Sequence, residues 1–221
     1  MSTQRSNPIA DWTAYLSGWI SITLYGFLVF ELLRLWTHPT DADALRVLTL
    51  AVMMAMEFIM AHSGVFMAAM SRSKAMIILI PFYGLFAWGF SSYVPGNDMM
   101  WLYFGVVAMR MRFAFSNPTE DQVGRNIGLS AVVVMTYFVL IFIFAFNADN
   151  IPLFGLTPEY LTASGYHDLH DSGGIFIDQP NVALAMGVVY FTLIAIWEFL
   201  IYGMLKWPGR KDKSGHQNPS T

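Results

Sequence analysis

The sequence predicts an all-α integral membrane protein: six transmembrane helices with an ordered outer loop between the fifth and sixth. Three observations predict it. The 221 residues are 56% hydrophobic and 12% charged, against roughly 25% charged in a soluble domain. Six apolar runs approach or exceed the ~20 residues that cross a bilayer. Ten of the twelve Lys and Arg residues also fall on one alternate set of the segments that flank those runs.

The first run is Trp12–Trp36, too long for the apolar region of a cleaved signal peptide and read as a retained helix. The second is Ala44–Met70. The third, Lys74–Tyr93, carries Pro81 as a kink. The fourth, Met99–Phe115, is interrupted by Arg110 and Arg112. The fifth is Ile127–Phe146. The sixth, Val182–Trp207, follows the start signal Asp178-Gln-Pro-Asn. Trp12, Trp36, Trp101 and Trp207 fall near run ends, where indoles favour the headgroup region. Trp19, Trp88 and Trp197 lie deeper and are expected to pack between helices.

Basic residues favour the cytoplasmic side of short loops. Placing the N-terminus inside puts Arg5, Arg72, Lys74, Arg110, Arg112, Arg125, Lys206, Arg210, Lys211 and Lys213 inside. Only Arg34 and Arg46 fall outside, both at helix ends. A five-helix arrangement scrambles this pattern, so six spans with both termini cytoplasmic are expected, in a bacterial inner membrane. Residues 1–11 then form a cytoplasmic tail and residues 12–207 a single transmembrane domain. Residues 208–221 form a disordered cytoplasmic tail.

The outer loop, residues 147–181, has no Lys or Arg but carries Asp149, Glu159, Asp168, Asp171 and Asp178. Its apolar residues, among them Leu153, Phe154, Leu156 and Phe176, argue for an ordered cap. Thr157-Pro-Glu-Tyr reads as a helix start, with Thr157 as N-cap and Pro158 first in the helix.

Ionisable residues at bilayer depth are costly and mark functional sites or buried pairs. Glu57 and His62 lie within the second run. Steps of three and four place Met53, Glu57, Met60, Gly64 and Met67 on one face. His62 is five positions from Glu57, roughly 140° round the helix at ~100° per residue, so each needs its partner from another helix. Pairing with Arg or Tyr as interhelical glue is the structural alternative. Glu198 lies in the sixth run with Tyr202 one turn on, and it can face Arg110 or Arg112, which otherwise snorkel to headgroups. Glu31 is expected to pair with Arg34 three residues on. In the outer loop, His167, Asp168, His170 and Asp171 have the spacing of a divalent metal site; a polar loop closing on Gly173-Gly174 is the alternative.

The chain has no cysteine, which excludes disulfides, thiolate metal sites, iron–sulfur clusters and cysteine nucleophiles. It has no P-loop, dinucleotide fingerprint or nucleophile elbow, and its basic residues form no nucleic-acid patch. The leading expectation is a small transport or proton-coupled membrane protein using Glu57, His62 and Glu198. The alternatives are a non-catalytic subunit that binds other membrane subunits, and a metal-dependent membrane enzyme at the outer loop. The lipid bilayer is a partner in all three.

Overall fold

The computed structural model describes residues 8–69, 77–78, 81–82, 84–86, 88–89, 120–170 and 174–203. Among these residues the protein is helical and has no strands. The helices are α1 (Pro8–Thr37), α2 (Ala44–Ala69), α3 (Glu120–Phe146), α4 (Pro158–Ala163), α5 (Ile175–Asp178) and α6 (Pro180–Gly203). Single 3-10 turns precede α2, follow α3 and follow α4. Four long helices thus fall on the predicted first, second, fifth and sixth runs. α3 begins seven residues earlier than its apolar stretch, at Glu120. The fourth run, with Arg110 and Arg112, lies outside the described residues, as does most of the third. Pro81 is described and helical.

Among the described residues, two helices are long and apolar enough to cross a membrane, over Gly18–Thr37 and Pro180–Leu200; Ser130–Phe146 in α3 is shorter. Aliphatic and aromatic residues dominate all three, and neither Gly nor Pro interrupts α6 between its ends except Gly187. That exception has a packing reason. A Cβ at position 187 would lie 2.9 Å from both Leu32 Cδ1 and Met54 Sδ. Gly187 therefore marks where α1 and α2 both approach α6, as small residues allow between membrane helices.

Ring contacts set the helix directions. Trp19 meets Phe199 and Tyr25 meets Phe191, so α1 and α6 run antiparallel. α6 is the hub, packed against α1, α2, α3 and α5. α2 is buried on nearly all sides from Val47 to Glu57; a helix apolar all round needs neighbours all round. α1 and α3 each keep an outward apolar face, with Phe27 and Phe30 on one and Phe138, Phe142 and Phe146 on the other. The expected packing role of the deeper tryptophans needs correction. Trp88 is 70% exposed and Trp197 43% exposed, while Trp19 (40%) does pack between helices, edge-on against Phe199 of α6. An indole on an apolar outer face loses nothing where the surroundings are equally apolar.

The segment after α3 folds back over the ends of α2 and α6. Ala148, Leu156, Leu161, Tyr166 and Phe176 are its buried residues among those described. Thr157 caps α4 as its sequence predicts: its hydroxyl accepts from Tyr160 N at 3.3 Å, and Pro158 opens the helix. The segment is clasped to the α1–α2 turn. Gly155 N donates to Trp36 O at 3.0 Å, Trp36 Nε1 donates to Pro152 O at 2.8 Å, and Tyr160 OH donates to Thr40 O at 2.9 Å. Phe154, at φ 45°, is the one non-glycine among the described residues with positive φ. Such a conformation costs about 1–3 kcal/mol, and here the Trp36 ring 4.9 Å away helps hold it.

Candidate functional site

Glu57 is 1% exposed. Its Oε1 accepts a short, 2.5 Å hydrogen bond from Tyr190 OH on α6. The register explains the meeting. Glu57 stands thirteen residues after the start of α2 and Tyr190 ten after the start of α6. Both helices start beneath the cap, so at ~1.5 Å per residue the two side chains reach similar depth, roughly 15–20 Å in. Tyr190 is itself boxed: Tyr137 of α3 meets its ring edge-on at 5.4 Å, and Phe191 lies beside it. Tyr137 is pinned in turn, its hydroxyl donating to Met54 O at 2.6 Å. Residues from α2, α3 and α6 thus surround one carboxyl group, on a stretch of α2 where Met53, Met54 and Met56 are also buried. Chemically, the arrangement can bind and release a proton, or orient a small polar group against the carboxyl.

The other predicted members are placed as follows. His62 lies on α2, but its side chain is outside the described residues, as is that of Tyr202 on α6. Arg110 and Arg112 lie outside altogether. Glu198 is buried at 6% exposure, eight residues beyond Tyr190 and so ~12 Å further along α6. Tyr190 was missed as the partner of Glu57; matched depth below the cap was the signal that could have found it.

In the cap, Tyr166, His167 and His170 form an aromatic trio, with centroids 5.0 Å apart between Tyr166 and His170 and 6.3 Å between the histidines. Burial pushes the Tyr166 phenol well above its ordinary range, and its hydroxyl donates to Ile177 O at 2.7 Å. His167 and Asp168 are exposed, and Asp171 lies outside the described residues. Among the described residues no group of three or more His, Asp or Glu is placed to hold a metal ion. The structure therefore does not support the predicted metal site. Both imidazoles lie beside the Tyr166 ring, at 5.8 and 5.0 Å, and Asp168, at the end of the 3-10 turn, is exposed.

A second charged cluster closes the α1–α2 turn. Arg34 donates to both oxygens of Glu31, at 3.0 and 2.8 Å, and to both oxygens of Asp43, at 3.1 and 3.2 Å. The expected Glu31–Arg34 pair is present, and Asp43 is the member that sequence reasoning missed. Its signal was Thr40-x-x-Asp43, a capping pattern: Asp43 Oδ2 accepts from Thr40 N at 3.0 Å and Thr40 Oγ1 at 2.7 Å. The Arg34 guanidinium, helped by Thr40, holds the Asp43 carboxyl well below the ordinary carboxylate range despite its burial.

No protein-family model, curated protein or solved structure matches this chain.

Proposed function

We propose that the chain is a six-helix inner-membrane protein, both termini cytoplasmic, in which Glu57 takes up and releases a proton coupled to transport. One observation carries the reading: Glu57 is buried in a helix enclosed on nearly all sides, and a tyrosine on a facing helix holds it. A carboxyl group at such depth is expensive to retain without use. A hydroxyl donor can stay bonded to it in either protonation state. The charge bias of the loops supports the topology, and the two helices long enough to span support membrane insertion.

The test is purified protein in proteoliposomes with a pH-sensitive dye inside. Glu57→Gln keeps the shape and the Tyr190 contact and should abolish proton movement without lowering the melting temperature. Undiminished proton movement in a folded Glu57→Gln protein would sink the proposal.

A second reading, a non-catalytic membrane subunit, has one observation in its favour. Phe138, Phe142 and Phe146 form a ladder of exposed rings on α3, with centroids 5.0 and 6.0 Å apart. If that face binds another membrane subunit, Phe142→Ala should strip a co-purifying protein from native membranes. Recovery of the same monomer from wild type and variant would count against it.

A further inference from the structure

Among the described residues, buried polar side chains are distributed unevenly along the bundle axis. On the cap side of Glu57, the buried side chains of α1, α2 and α6 are apolar until Asp43 and Asn181 at the outer ends. Leu32, Leu48, Ala51, Met54, Leu184 and Met186 fill this layer, each at most 0% exposed. Thr49 is half-buried, and its hydroxyl is committed to Leu45 O at 2.7 Å. From Asp43 to Glu57 the layer is about 20 Å of helix. Close-packed apolar side chains leave no polar partners for water, and protons do not cross such a layer without them.

The opposite side differs. Ser21 and Glu198 are the remaining buried polar residues among those described, at 3% and 6% exposure. Two ring contacts bracket them into one layer. Ser21 lies on α1 between Trp19 and Tyr25; Glu198 lies on α6 between their partners Phe199 and Phe191. Glu198 also shares the stripe of Phe191 and Gly187, seven and eleven residues earlier and each about 20° away at ~100° per residue. Gly187 is where α1 and α2 both touch α6. Glu198 therefore lies on the same stripe of α6 as Gly187, where Leu32 of α1 and Met54 of α2 come together.

We infer that proton exchange at Glu57 is one-sided, running through the Ser21–Glu198 layer to the end of the bundle opposite the cap. The inference rests on the proton-coupled reading of Glu57. In the step, the Glu57 O–H bond breaks and the proton passes along transient water to a Glu198 carboxylate oxygen. Tyr190 keeps its own proton and donates to the carboxylate left behind. Ser21 marks this layer on α1, where its buried position is polar while those nearer the cap are apolar.

The absence of cysteine makes the access side measurable. Single-cysteine proteins Ser21→Cys, Ala51→Cys and Ala183→Cys, each checked for wild-type melting, are treated in sided vesicles with a membrane-impermeant thiol reagent. Ser21→Cys should react from the side opposite the cap, and Ala51→Cys and Ala183→Cys from neither. Reaction of either alanine position from the cap side, or no reaction at position 21, overturns the one-sided route. In the dye assay, Glu198→Gln should slow proton movement on the order of 100-fold, the scale of a lost proton-transfer group. If Glu57→Gln abolishes movement and Glu198→Gln leaves it intact, the route fails while the reading of Glu57 stands. If neither changes it, both fail.

Discussion

Two carboxylates on neighbouring helices are held in opposite ways. Glu31, at the outer end of α1, shares Arg34 with Asp43 through four hydrogen bonds, and Arg46 adds a 3.6 Å contact. Glu57, deep in α2, is held by a tyrosine hydroxyl. The first arrangement neutralises charge and fixes the turn into α2, so nothing is gained by moving a proton there. The second sets the carboxyl against an uncharged hydroxyl donor from a facing helix. The same residue type thus takes an ionic partner at one depth and a phenolic one at another.

The sharpest way to break the comparison is at Arg34. Arg34→Leu keeps the apolar stem but leaves Glu31 and Asp43 facing each other. Removing one member of a largely buried charge cluster costs about 3 kcal/mol, less here because Arg34 and Glu31 are partly exposed. A fall of several degrees in the detergent melting temperature is expected, with the Glu57 proton signal unchanged in the folded fraction. The clasp over this turn is next. A Cβ on Gly155 would come within 2.8 Å of Thr37 O and 3.0 Å of Pro39 Cγ. Gly155→Ala should then cost about 2 kcal/mol, as overpacking does, read as faster proteolysis of the cap.

At the deep site the expected stability loss is smaller. Tyr190→Phe keeps the rings against Tyr137 and Phe191 and removes one hydrogen bond, worth about 1–2 kcal/mol. Its larger signature is spectroscopic: the infrared carboxyl band lost in Glu57→Gln should shift in Tyr190→Phe. An unmoved band would show that the hydroxyl does not act on Glu57. The smallest effect is acid dependence of the turn. Because the Asp43 carboxyl is held below its ordinary value, its contribution is complete above the unfolded value of ~4. It is lost as pH falls from there toward the lower folded value. Melting at pH 3 should therefore fall more for wild type than for Asp43→Asn; equal falls would show that the turn is not the acid-sensitive part.

Much of the helical layout was legible because it is written locally. The runs at Trp12–Trp36, Ala44–Met70 and Val182–Trp207 agree with the described helices within a few residues. The start of α4 at Thr157-Pro158 and the pair three residues apart at Glu31 and Arg34 were equally readable. Each depends on spacing within one segment. The early start of α3 was not legible, since Glu120 to Arg125 is polar and gives no apolar period. The outward tryptophans were misread because depth along a helix says nothing about which way its face turns.

By itself the sequence determined where the long helices among the described residues lie, and that ionisable residues stand inside its apolar runs. It also required that Glu57 find its partner on another helix, because no residue on its own face could serve. Only the tertiary structure decided that the partner is Tyr190, that Tyr137 braces it, and that Asp43 joins Glu31 and Arg34. The physical reason is that a helix fixes angles and rises along one segment. Which segments share a depth and a seam is decided by packing, here at Gly187, where the close approach of α1, α2 and α6 sets the register of all three.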